Sequence, residues 1–173
     1  MPCPDGVLFG YVPPPGFGSG NLDLRALRPP DMDDCIFCQI VAGEIPSRTV
    51  YEDATTMAFL DANPLAPGHT LVIPKDHHEH VQDIPAGVAG DVFATVHRLV
   101  APVQDAAGAE ASTVAFNNGE VAGQEVPHAH CHIIPRFTED GSAPIHSIFG
   151  ERPDLGDDEL DDIADDIADG VSD

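Results

Sequence analysis

Basic side chains are what this 173-residue chain has least of. Seven lysines and arginines face 30 acidic residues, a formal net charge of −23, and Lys75 is the only lysine. A chain so charged repels phosphates, which argues against binding nucleic acid or an anionic membrane through a basic patch. Long apolar runs are missing too. No stretch approaches the roughly 20 residues of a membrane span. The N-terminal residues carry neither the basic nor the apolar segment of a signal peptide, so the chain reads as cytoplasmic. Cysteine is sparse at four residues, Cys3, Cys35, Cys38 and Cys131. In a reducing compartment the Cys35-x-x-Cys38 pair is more often metal-binding or redox-active than a structural disulfide.

What is abundant is acid, and it is spread over the whole length. Such a surface is heavily hydrated and self-repelling. At 1 M salt the screening length falls to about 3 Å, which relieves the repulsion. The expected setting is a salt-adapted cytoplasm.

The length suits one domain with tails. Residues 1–31 are rich in proline and glycine, lack sustained periodicity, and read as a flexible leader. Met32, just before the chain turns globular, is a candidate natural start. Removing 1–31 takes away three acids and two bases, so −23 becomes −22. Residues 32–139 form the expected domain, and 140–173 an acidic tail. In that tail Leu160, Ile163, Ile167 and Val171 share one face of an amphipathic helix, suited to docking on the domain or a partner subunit.

Within the domain, "CIFCQIVAG" predicts a helical turn ending near Gly43. "RTVYEDATTMAFLD" predicts a hairpin, and "HTLVIP" a buried strand closed by Pro74. Val88, Val92, Val96, Leu99 and Val103 recur at helical spacing, with Pro102 expected to kink that helix or end it early. "STVAFNN" and "HAHCHIIP" predict two more strands. The fold class is α+β: a mostly antiparallel sheet with one main helix, a flexible N-terminal leader and an amphipathic C-terminal helix.

The run "HAHCHIIPR" places His128, His130 and His132 at every second position. On a strand, those three share one face while Ala129, Cys131 and Ile133 take the other. Imidazoles on a buried surface need a metal, hydrogen bonds or an anionic ligand.

Two longer segments carry a resemblance, "PGHTLVIPKDHH" (67–78) and "NNGEVAGQEVPHAHCHIIPR" (117–136). With "CIFCQIVAGEIPSRTVYEDATTMAFLDANPLAPGH" before them, they closely resemble the histidine triad superfamily, in its branch of nucleotide-binding hydrolases, over about residues 33–137. The triad signature is His-φ-His-φ-His-φ-φ, with φ apolar. The resemblance implies a homodimer with joined sheets. It also implies a nucleotidyl hydrolase or transferase attacking the α-phosphate of a nucleoside monophosphate derivative, a purine phosphoramidate first. By the same resemblance His130 is the nucleophile, and His132 and His69 stabilise charge on the phosphate. Asp61 would bind ribose hydroxyls, and Asn117 and Gln124 would approach the phosphate or the nucleophile's surroundings.

Some branches of the superfamily pair Cys-x-x-Cys with two histidines, here His77 and His128. The implied metal set is then Cys35, Cys38, His77 and His128, a tetrahedral zinc with no vacant position, structural and not catalytic. His78 and His80 are nearby competitors for the ligand role. Cys131, turned from the triad, is expected in the core. Glu125 departs from the small hydroxyl residue of better-known members. A carboxylate there is repelled by a phosphate unless protonated or turned away, and it receives no catalytic role. The rivals are a dinucleoside polyphosphate hydrolase and a nucleotide-binding module without turnover. DNA-end repair is disfavoured by the charge.

Overall fold

The computed structural model describes residues 34–141, 144 and 153–171. The leader 1–31, Met32 and Cys3 lie outside the described residues. The chain divides into two compact units, Met1–Pro135 and Arg136–Asp173.

In the first unit a short helix α1 (Ile36–Val41) precedes strands β1 (Thr49–Glu52), β2 (Thr56–Leu60) and β3 (Thr70–Pro74). Helix α2 (Ala86–Ala107), strand β4 (Ala111–Phe116) and strand β5 (Cys131–Arg136) follow. The sheet has five strands in the order β1-β2-β3-β5-β4, and the β1–β2, β2–β3 and β3–β5 pairs are antiparallel. This is the expected α+β class.

The hairpin turns on Asp53. Its carboxylate accepts the backbone N–H groups of Thr55 (2.9 Å) and Thr56 (2.8 Å) and the Tyr51 hydroxyl (2.9 Å). Burial alone would raise the pKa of Asp53, but these donors outweigh it and hold it down to about 2. Lys75 Nζ closes the same turn, donating to Glu52 Oε1 at 2.6 Å and to the Asp53 carbonyl at 3.0 Å.

Strand parity decides which residues face what. Met57, Phe59, Leu71 and Ile73 join Phe37, Cys38 and Ile40 in one core cluster, on the α1 side. Ala58, Val72, Cys131 and Ile133 join Val92, Val96, Leu99 and Val103 in the other, on the α2 side. Each large aliphatic or aromatic side chain so buried stabilises the fold by about 1.5–3 kcal/mol. Register carries the parity into β5: Val72 pairs with Cys131 and Leu71 with His132. Cys131 therefore faces the helix, as expected, and burial drives its thiol pKa up to about 12. His132 faces the opposite side of the sheet.

One expectation narrows and one needs correction. Helix α2 does not end early at Pro102; it runs to Ala107 and stops at Gly108, in the left-handed region at φ 65°. Proline removes only its own N–H bond to the preceding turn, while Leu99 and Val103 on either side of it are buried and hold the stripe in place. The triad, moreover, is not all strand. β5 begins at Cys131, because β3 pairs only with Cys131, His132 and Ile133. Ahead of it the backbone is held otherwise, His128 N–H donating to the Val126 carbonyl (2.8 Å) and Ala129 N–H to that of His78 (2.6 Å).

The second unit holds helix α3 (Asp157–Val171), the expected amphipathic tail helix. Asp157, Asp158 and Glu159 in its first turn suit the positive end of the helix dipole. Its apolar stripe, Leu160, Ile163, Ile167 and Val171, is exposed. No helix among the described residues is long and apolar enough to cross a membrane.

Candidate active site and metal centre

The histidine run splits its side chains between two neighbouring environments. His128 turns towards α1 and the loop after β3. Its Nδ1 lies 3.5 Å from Cys35 Sγ and 3.6 Å from Cys38 Sγ, while His77 Nδ1 is 3.3 Å from Cys38 Sγ. The four donor atoms all lie within 4.8 Å of one another. A zinc tetrahedron with Zn–S near 2.3 Å and Zn–N near 2.05 Å has S···N edges of about 3.6 Å. The observed spacings match those edges, so the donor set fits the ion. His128 Nε2 donates to the Pro74 carbonyl at 2.9 Å, which leaves the Nδ1 lone pair aimed at the thiols. His77, not His78 or His80, completes the group; His80 instead faces Asp83 at 3.3 Å.

His130 and His132 open onto a cavity of about 570 Å³ on the α1 face of the sheet. Phe37, Ile40 and Phe59 form its apolar wall, and Asp61, Asn117 and Glu125 its polar rim. His130 Nδ1 donates to the His128 carbonyl at 2.6 Å, so Nε2 carries the lone pair. Burial lowers the pKa of His130 below 6.5, against the opposing pull of the His128 carbonyl, Asp61 and Glu125. Burial thus favours the neutral ring.

The His132 ring lies 4.8 Å from that of His130 and 5.2 Å from that of His69, centroid to centroid. His69 Nε2 and His132 Nδ1 are 3.0 Å apart. The remaining nitrogen, His132 Nε2, is buried with no hydrogen-bond partner among the described residues. Burial and the adjacent His130 and His69 hold the pKa of His132 at about 4, although Asp61 opposes them. His69 is lowered by burial as well, with Asp61 3.3 Å away raising it and His130 lowering it. Gly68, just before His69, adopts φ 84°, and a Cβ there would meet Ala107 Cβ at 3.3 Å and Pro135 Cγ at 3.4 Å. Only glycine lets the chain turn into His69 this close to the helix.

His69, His130, His132, Asp61 and Asn117 thus line one cavity. Gln124 does not. Its amide braces the 117–126 loop, accepting from Gly119 N–H (2.7 Å) and donating to the carbonyls of Glu79 (2.8 Å) and Val126 (3.0 Å). It borders an adjoining cavity with Glu79 and Glu120, and Glu125 lines both. Phe37 is a defining residue of no motif in the sequence, yet its ring packs edge-on against His128 at 5.8 Å and His130 at 5.2 Å. Its position between the two cysteines was the available signal.

The HIT domain model matches residues 42–139 of the sequence, more than half of the chain. This protein belongs to the histidine triad (HIT) family. An uncharacterised HIT-like protein of Methanocaldococcus jannaschii is 44% identical over 126 residues, spanning 73% of this chain and 95% of the relative. An adenosine 5′-monophosphoramidase of Candida albicans is 39% identical over 109 residues, 61% of this chain and 72% of its own length. Among solved structures, a HIT family member from Bacillus subtilis is 40% identical with a TM-score of 0.72, covering 79% of this chain and 96% of that one. A zinc-bound HIT family protein from Mycobacterium smegmatis is 34% identical with a TM-score of 0.61, covering 71% and 86%. The five-stranded antiparallel sheet with one main helix is the HIT fold.

Proposed function

We propose that this HIT protein hydrolyses a nucleoside monophosphate derivative, a purine phosphoramidate first, by attack of His130 on the α-phosphorus. The observation that carries this reading is the orientation of the His130 ring, its Nδ1–H fixed on the His128 carbonyl at 2.6 Å and its Nε2 lone pair turned to the cavity. Attack forms a P–N bond to Nε2 as the bond to the leaving amine breaks, and the departing nitrogen takes its proton from solvent water. Water then releases the nucleotide from the histidine. Asp61 accepts the ribose hydroxyls, and the apolar wall of Phe37, Ile40 and Phe59 takes the base. His132 donates its Nε2–H to a non-bridging phosphate oxygen, where negative charge grows. Asn117 lies on the same rim, and Gln124 holds its loop in shape. The C. albicans relative's name supports the phosphoramidate choice.

Cys35, Cys38, His77 and His128 hold a structural zinc in this reading, supported by the tetrahedral spacing of their donors and by the zinc-bound relative. With four protein ligands the ion leaves no position for substrate, and its contribution is to tie α1 to the segment bearing His130. The protein works in high salt, as its acidity suggests, and as a cytoplasmic homodimer, the assembly that the family resemblance implies.

The test is a single-turnover reaction with an adenosine phosphoramidate in molar KCl, quenched for mass spectrometry. A nucleotide adduct on His130 that vanishes in His130→Ala is expected. Absence of both adduct and product, in folded protein that binds AMP, overturns the reading in favour of a binding module. Faster turnover of a dinucleoside polyphosphate would reassign the substrate.

A further inference from the structure

His132 is neutral near pH 7, so it carries one ring proton, and the chemistry depends on which nitrogen holds it. Protonated at Nε2, it offers the cavity a donor. Protonated at Nδ1, it offers a lone pair that repels a phosphate oxygen. The His69 Nε2–His132 Nδ1 contact at 3.0 Å passes the choice to His69. Two groups compete at the far nitrogen, His69 Nδ1: Leu65 N–H at 3.2 Å and the Asp61 carboxylate at 3.3 Å. An amide N–H can only donate, so its bond requires an unprotonated Nδ1. A carboxylate there favours a protonated one.

The loop is built to aim that amide. Asp61 N–H donates to the His69 carbonyl (2.9 Å) and His69 N–H to the Ala66 carbonyl (3.0 Å), closing residues 61–69 on themselves. Pro64 and Pro67 fix φ on either side of the Leu65–Ala66 pair. The Leu65 side chain is 75% exposed, so core packing does not account for its place. Asn63 N–H holds the other Asp61 oxygen, Oδ1, at 2.8 Å, so the carboxylate meets His69 through Oδ2 alone.

We propose that Leu65 and His69 are positioning residues: the Leu65 amide holds His69 Nδ1 unprotonated, His69 Nε2–H donates to His132 Nδ1, and the proton of His132 is thereby fixed at Nε2, facing the cavity. The relay explains the buried His132 Nε2, without a partner among the described residues, as a donor kept ready for a phosphate oxygen. It rests on the proposed phosphoryl chemistry for its purpose, but not for its existence.

The experiment is two-bond ¹H–¹⁵N correlation NMR of the nucleotide-free protein labelled with ¹⁵N-histidine, which reads each ring nitrogen as protonated or bare. His69 should be bare at Nδ1 and His132 protonated at Nε2. Leu65→Ala, which keeps the amide, should show the same pattern. Leu65→Pro removes the N–H, hands His69 Nδ1 to Asp61, and should move the His132 proton to Nδ1. Its single-turnover rate should fall about 100-fold or more, as when one oxyanion donor is lost. A His69 protonated at Nδ1 in the wild type, or a Leu65→Pro spectrum unchanged at His132, overturns the relay. Should Leu65→Pro fail to fold, the wild-type spectrum decides alone. The expected tautomers without any His130 adduct would uphold the relay and sink the phosphoramidase reading.

Discussion

His128 and His132 stand four residues apart and meet opposite ends. His128 has both nitrogens committed, one to the Pro74 carbonyl and one to a pair of thiols, and it is wholly buried. His132 has one nitrogen committed and one buried but unmatched. The first arrangement is satisfied by the protein and its proposed ion. The second is complete only when something enters the cavity. A buried polar atom without a partner costs about 1–3 kcal/mol, which marks the His132 end as the one kept for a ligand. His130 sits between, its orientation taken from the His128 side and its free nitrogen turned to the His132 side.

That contrast can be broken from either end. The largest effect is expected from His130→Ala, which should lower single-turnover hydrolysis by about 10⁴-fold or more while leaving the melting temperature almost unchanged. Cys38→Ser should do the reverse in kind. Zinc measured by elemental analysis should drop, and urea unfolding should show a loss of about 3–5 kcal/mol, with activity following stability. His132→Ala should cost about 10²–10³-fold in kcat with zinc content intact. If His132→Ala lost zinc, or Cys38→Ser kept full stability, the two ends would not be separate devices.

The smallest effect belongs to a site remote from both. Asp53→Ala removes the acceptor of the hairpin turn and should cost about 1–2 kcal/mol. The Asp53 carboxyl is held below its ordinary 3.8, at about 2, in the folded protein, so its contribution is present above pH 3.8 and is lost as pH falls towards 2. The difference between wild type and variant in urea unfolding should accordingly shrink in acid. A difference that stayed constant down to that range would assign the stability to packing.

Much of this was legible in the residues. Two β-rich runs around Glu52-Asp53-Ala54 gave the hairpin, and the period-two pattern gave the opposite facing of Cys131 and His132. The cysteines and His77 could be grouped with His128 only through the family resemblance, because a spacing of about 90 residues carries no local signal. Pro102 does not end its helix because a single lost hydrogen bond weighs less than the buried stripe around it. The triad looked like unbroken strand because periodicity reports side-chain character, whereas pairing with β3 decides where a strand begins. The Leu65 amide was invisible in principle: every residue but proline has such a donor, and only the closed loop says where this one points.

The solitary lysine has a practical consequence. Its side chain is three-quarters shielded, and its amine reaches from the end of β3 to Glu52 beside the hairpin turn. Apart from the chain terminus, an acylating reagent meets one nucleophilic amine on the whole molecule. The speed at which that single label is written becomes a clock for the release of Lys75 from the Glu52–Asp53 turn, readable by intact mass without any engineered probe.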